Sequence, residues 1–170
     1  MKRIAQFEKV SRERFLKDFK DTFPTYQDDE ILMIYDNIKI PKRATSGRAG
    51  YDFYAPVTIN LNPGQICKIP TGIRVKIEDG WVLKLYPRSG LGFKYRLQLN
   101  NTVGIIDSDY YYSDNEGHIF AKITNDSNEG KDVTVAEGTG FMQGIFIQYG
   151  ITMDDDTEDI RNGGFGSTTK

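Results

Sequence analysis

Three short stretches hold residue types that do chemistry on phosphates. Pro87-Arg88-Ser89-Gly90 follows the apolar run Trp81 to Tyr86, so a guanidinium, a hydroxyl and a pliable backbone stand together at a strand end. Those are phosphate-binding parts: a planar cation that pairs with two oxygens at once, and donors that close around them. In the second stretch, Gly104-Ile105-Ile106-Asp107-Ser108-Asp109-Tyr110, an apolar strand leads directly into a carboxylate, with an aromatic ring three residues on. A carboxylate at the end of a buried strand is partly desolvated, which suits it to act as a base. The third is Arg161-Asn162-Gly163-Gly164-Phe165-Gly166-Ser167-Thr168, a cation and a lone aromatic among glycines. Singly, each has a plainer reading: a turn with a solvated arginine, an aspartate closing a turn on backbone amides, a disordered tail.

Other chemistries fit less well. One cysteine and one histidine cannot build a zinc site. Asp107, Asp109, Asp114 and Glu116 lie close together, but without the mid-loop glycine of a calcium-binding helix-loop-helix, and their flanks read as strands. Gly138 to Gly144 has the wrong last gap for a dinucleotide fingerprint, and a strand follows it. Cys67, inside the alternating run Gln65 to Ile69, reads as a buried small apolar residue.

The elements that must position these residues read mostly as strands. Ile4, Phe7, Val10, Phe15, Leu16 and Phe19 recur at spacings of three to five among charges, which predicts a short amphipathic helix ended by Pro24 and the polar run Thr25 to Glu30. Beyond it come short β-branched runs: 31–40, 57–61, 66–69, 73–77, 81–86, 103–106, 118–124, 133–136 and 141–149. Asn62-Pro63-Gly64, Glu78-Asp79-Gly80 and Asn128-Glu129-Gly130 punctuate them as turns. Many short strands without intervening helical patterns predict an all-β sandwich or barrel. At 170 residues the expected organisation is one β-domain, residues 31–153, with a helical extension at 1–30 and an acidic linker and tail at 154–170. A net charge of −2 gives no global attraction to nucleic acid or membrane, so a polyanionic ligand needs local cations. No stretch approaches the roughly 18 apolar residues of a membrane span, and a cytoplasmic protein is expected.

The stretches also occur in a telling order. Ala49 to Ala55, Pro87 to Gly92, Gly104 to Tyr110, Gly138 to Gly144 with Gln143, and Gly163 to Thr168 resemble the five motifs of the trimeric dUTPase family, bacterial or phage type. The resemblance runs from about Ile38 to Thr168 and implies a jelly-roll-like homotrimer, of the β-clip kind, with active sites shared between chains. It implies hydrolysis of dUTP to dUMP and pyrophosphate, with Mg²⁺ held by the substrate phosphates and waters and by no protein ligand. Asp107 matches the general base. Arg88, Ser89, Gly90, Gln143 and Arg161 match phosphate-binding residues, and Asp52 one that orders the site. Asn101, Gly104, Ile105 and Ile106 match the hairpin that holds uracil through its backbone. Tyr110 matches the ring that packs on deoxyribose and disfavours a 2′-hydroxyl. Phe165 matches the aromatic that stacks on uracil, in a lid formed with Gly163, Gly164, Gly166, Ser167 and Thr168.

This chain departs from the pattern in three places. The cation usual in the fourth motif is missing from Thr139-Gly140-Phe141-Met142-Gln143. A longer loop, Tyr111 to Gly117, follows Tyr110; the three consecutive tyrosines Tyr110, Tyr111 and Tyr112 are expected to pack on a neighbouring subunit, with a protein-binding surface as the alternative. The N-terminal extension is expected to cover the trimer surface. Two rival functions are a relative that deaminates dCTP and a nucleotide-gated module that binds a regulatory protein; the Asp107 motif and the glycine-rich tail favour the pyrophosphatase.

Overall fold

The computed structural model describes residues 1–164. Eleven strands and three helices follow in the order β1 (Ala5–Lys9), α1 (Arg12–Thr22), α2 (Asp28–Asn37), β2 (Tyr51–Tyr54), β3 (Ile59–Leu61), β4 (Ile66–Pro70), β5 (Ile73–Ile77), β6 (Trp81–Pro87), α3 (Ser89–Tyr95), β7 (Leu97–Leu99), β8 (Gly104–Ile106), β9 (Phe120–Asn125), β10 (Val133–Val135) and β11 (Gly140–Gln148), with a 3₁₀ turn at Ser108–Tyr112. Every named pairing is antiparallel. One sheet has the order β2-β11-β6-β8, a second β4-β9-β7, and two ribbons pair β1 with β5 and β3 with β10. This is the mostly-β architecture expected. Its strands are short because each alternates core and solvent positions for only a few residues: Val133-Thr134-Val135 buries its two valines and exposes its threonine.

The N-terminal third differs from its expectation. The helix begins only at Arg12, where Ser11 caps it by accepting the Arg14 amide at 3.1 Å. The residues before it form β1, an added strand on β5. The run 31–40, expected as a strand, is mostly α2. The Gln27 amide donates to Glu30 Oε2 at 2.7 Å, and Asp28, Asp29 and Glu30 fill the first turn, where carboxylates suit the positive end of the helix dipole. Those acidic residues outweigh the β-branched look of Ile31-Leu32-Met33-Ile34. The expected division at residue 30 falls inside this helix. Phe15, Phe19 and Ile31 are fully buried in the same core as Ile69, Ile123 and Phe141. Burial of each phenyl ring contributes about 1.5–3 kcal/mol, so the extension is part of the domain's own core. Cys67 is half-buried at the edge of that core, and burial pushes its thiol pKa up, as an unreactive side chain requires.

Candidate active site

The sheet register gathers the expected site residues into two groups. Asp52 on β2 and Gln143 on β11 are direct cross-strand partners, and Gln143 also faces Tyr86 on β6, one residue before Pro87. Arg88 caps α3, so Ser89 and Gly90, both exposed, lie in that helix's first turn rather than in a bare loop. The centre of this group is the Asp52 carboxylate, 5% exposed, which takes Arg48 through two bonds of 2.9 and 3.1 Å and has Arg88 Nε at 3.5 Å. Two guanidiniums on one carboxylate leave a net positive surface with N–H groups to spare. Gln143 donates to the Pro87 carbonyl at 3.2 Å, with Arg48 3.5 Å from its amide oxygen.

Gly140, where the family's cation is missing, leaves room for Arg88: a Cβ there would lie 2.9 Å from Arg88 Nη1. Arg48 supplies a second cation to the cluster. No motif contains it; the signal in the sequence is a cation four residues before Asp52 in the turn-rich run Ser46 to Gly50.

The second group surrounds a cavity of about 340 Å³ lined by Asn101, Gly104, Ile105, Ile106, Asp107, Tyr110, Arg161 and Gly164 with apolar neighbours including Leu85, Leu99 and Met142. Its wall is β8, the edge strand of the four-stranded sheet, whose outer backbone groups are left for a ligand. Tyr110 is 3% exposed; its hydroxyl donates to the His118 carbonyl at 2.6 Å and accepts from Asn115 Nδ2 at 2.8 Å. The ring is thereby held against the cavity, with burial raising its pKa. None of Arg88, Ser89, Gly90 and Gln143 lines this cavity.

Asp107 departs from its expected environment. It precedes the 3₁₀ turn without capping it, and its side chain is 43% exposed, so β8 does not desolvate it. Its carboxylate is instead covered by the tail: Arg161 Nη2 donates to Asp107 Oδ2 at 2.7 Å. Arg161 Nε lies 3.0 Å from Asp109 Oδ1 but off the hydrogen-bond axis, and the guanidinium sits 5.8 Å from the Tyr110 ring centre. Arg161, expected among the phosphate-binding residues, lies here on its own chain's aspartate. Ser113 Oγ donates to the Gly163 carbonyl at 3.2 Å, which keeps the tail on the same loop. Phe165, Gly166, Ser167 and Thr168 lie outside the described residues.

The loop 111–117 also finds its partners within the chain. Tyr111 is stacked under Arg74, whose guanidinium lies 3.6 Å from the ring centre, and its hydroxyl donates to Glu8 at 2.8 Å. Of the three tyrosines expected at a subunit contact, Tyr110 and Tyr111 are packed intramolecularly, while Tyr112 is 71% exposed.

Comparison with known proteins agrees with the motif order. The dUTPase family model matches residues 36–169. The deoxyuridine 5′-triphosphate nucleotidohydrolase of Lactococcus lactis is 42% identical over 144 residues, covering 82% of this chain and 95% of its own. That of Hahella chejuensis is 40% identical, covering 78% and 88%. Among solved structures, the dUTPase of Streptococcus mutans superimposes with a TM-score of 0.63 at 33% identity over 86% of this chain and 97% of its own. A mutant dUTPase of phage phi11 of S. aureus, which coordinates a structural Mg(II) ion, shares the fold at 20% identity, with a TM-score of 0.63 over 92% of this chain and 98% of its own.

Proposed function

The chain belongs to the dUTPase family and hydrolyses dUTP, and we propose that Asp107 is the general base of that reaction. The supporting observation is the place of this carboxylate: at the lining of a cavity walled by an edge strand and a buried tyrosine, solvated enough to hold a water. In this reading the outer backbone groups of Gly104 to Ile106 meet the polar edge of uracil, as a strand edge meets a peptide, with Asn101 beside them. Tyr110 packs on the deoxyribose and leaves no room for a 2′-hydroxyl. Asp107 takes a proton from a water that attacks the α-phosphorus in line; the bond to the bridging oxygen breaks, and pyrophosphate leaves with dUMP as the other product. Proton transfer to a placed base contributes about 10²- to 10⁴-fold.

Arg161 shields Asp107 until a triphosphate offers it a stronger anion. Its move to the phosphates uncovers the base and brings Gly163 and Gly164 over the nucleotide.

The triphosphate needs more cations than the cavity's own lining holds. Arg88, Ser89, Gly90, Gln143 and the Asp52-held Arg48 supply them, and because they line no part of their own chain's cavity, a neighbouring subunit brings them to it. The form this sharing takes in the proposed reading is a closed trimer with three equivalent sites, as the family resemblance implies. Mg²⁺ fits this reading as an ion that would arrive with the substrate, held by its phosphate oxygens and by waters. Bound there, it neutralises charge on the phosphates.

The test is pyrophosphate release across dUTP, UTP, dTTP and dCTP. Strong preference for dUTP with dUMP as product is expected; ammonia release from dCTP would replace the pyrophosphatase reading with a deaminase one.

A further inference from the structure

The N-terminal segment and the loop that follows Tyr110 hold each other at several points. On β1, Glu8 accepts the Tyr111 hydroxyl. At the start of α1, the amide and hydroxyl of Ser11 both donate to the Glu116 carboxylate, at 2.9 and 2.7 Å. One turn on, Arg14 donates to the Asp114 carbonyl at 3.1 Å. Burial alone would raise the Glu116 pKa, but the two bonds from Ser11 and the nearby Arg74 and Arg14 outweigh it and hold the carboxyl below its ordinary value.

The deepest of these contacts reaches the active site. His118, the chain's single histidine, is fully buried. Its Nε2 accepts the Gly72 amide at 2.8 Å, so the ring proton must sit on Nδ1, which lies 2.6 Å from Asp18 Oδ2 on α1. A second ring proton would point at the Gly72 N–H, so the imidazole stays neutral. Burial accordingly lowers its pKa against the opposing pull of Asp18; Arg14, Glu116 and the Tyr110 hydroxyl are the other polar groups around it, with the Phe15 and Phe120 rings closing the space. The backbone carbonyl of this same residue receives the Tyr110 hydroxyl at 2.6 Å. The ring that lines the cavity is thus anchored, at its far end, to a residue that α1 grips from the other side.

We propose that the N-terminal segment is a positioning element of the active site, with Asp18 and His118 as the positioning residues that set the Tyr110 ring against the sugar. The proposal rests on the reading of Tyr110 as the residue that excludes a 2′-hydroxyl. Its physical content is a constraint: a hydroxyl bonded on both sides to fixed partners leaves the ring one orientation, and loosening the His118 carbonyl lets the ring yield to a larger sugar.

The test compares three full-length variants, each checked by thermal melting and assayed with dUTP and with UTP well below its melting temperature. Asp18→Ala should lower the dUTP-over-UTP preference about three- to tenfold, the loss expected when one hydrogen-bonded support goes. Asp18→Asn, whose amide oxygen still accepts the Nδ1 proton, should retain most of it. Phe19→Leu loosens the same helix without touching the relay and should lower the melting temperature while leaving the preference unchanged. Equal shifts in Asp18→Ala and Phe19→Leu, or no shift in Asp18→Ala, overturn the proposal. Should Asp18→Ala fail to fold, Asn115→Ala removes the other bond to the Tyr110 hydroxyl and carries the same expectation.

A readout independent of turnover comes from imidazole NMR, which needs no assignment with one histidine. The Nδ1 proton should be seen in the wild type and shift when a non-hydrolysable dUTP analogue binds. If Tyr110→Ala leaves the sugar preference untouched, the reading of Tyr110 fails on its own, and a histidine signal indifferent to the analogue then overturns the positioning role as well.

Discussion

The cavity around Tyr110 and the cationic cluster around Asp52 solve different problems with different materials. The cavity is main chain and buried ring: an edge strand, a tyrosine bonded at both sides of its hydroxyl, and a loop clamped by β1 and α1. The cluster is long side chains, with Arg48 and Arg88 partly exposed and centred on one buried carboxylate. In the proposed reading the cavity selects an uncharged base and a sugar lacking one oxygen, which requires a wall that does not yield, because the discriminating contacts are short-ranged. Holding a triphosphate does not, because attraction between unlike charges falls off slowly with distance and tolerates a flexible arm.

The largest effect should come from the carboxylate that lines the cavity. Asp107→Asn keeps the size and polarity of the side chain but removes the base, so turnover should fall about 10²- to 10⁴-fold while dUTP still binds, as measured by single-turnover pyrophosphate release and calorimetric titration. More than a tenth of wild-type turnover would remove Asp107 from that role.

The separation of the two regions can be tested by mixing. Asp107→Asn and Arg88→Ala chains, each nearly inactive, are unfolded together and refolded in equal amounts. If the cavity of one chain uses the cluster of the next, random assortment restores about a quarter of the sites, and activity recovers to about a quarter of wild type. Mixed trimers seen by native mass spectrometry with no recovered activity would place both regions' work within one chain.

A smaller effect is expected when the wall is softened. Tyr110→Ala should weaken discrimination against UTP by about 1–3 kcal/mol, read from the ratio of kcat/KM values, with little change in affinity for inorganic triphosphate. A loss of triphosphate affinity as large as the loss of discrimination would mean that the two regions are not separable.

The smallest effect concerns the support behind that wall. His118 has its pKa lowered in the folded state, mainly by burial, below the ordinary 6.5. The unfolded chain therefore takes up a proton first as pH falls, so this residue's contribution to stability is present above 6.5 and is lost as pH drops through that value toward the folded pKa. Thermal melts between about pH 8 and 5 should show the wild type losing stability more steeply than His118→Gln. Parallel curves would show that the buried imidazole charges without cost.

The sequence by itself determined most of the strands, the turns and the order of the motifs, because these are local: alternation sets a strand's two faces, and Gly64, Gly80 and Gly130 stand at the expected turns with positive φ. It also determined the family, since residue types at fixed spacing survive without any knowledge of packing. Only the tertiary structure decided what those residues touch. Asp107 and Arg161 are 54 residues apart, and His118 and Asp18 are 100 apart; neither pairing leaves a periodic or spacing signal. For the same reason the run 31–40 is ambiguous in sequence: its apolar residues suit a strand or a buried helix equally, and the acidic turn before it together with burial of Ile31 chose the helix. The N-terminal segment read as an appendage because nothing local shows that Phe15, Asp18 and Phe19 face inward. Their burial is a property of the surface they meet, and that surface is built from strands far along the chain.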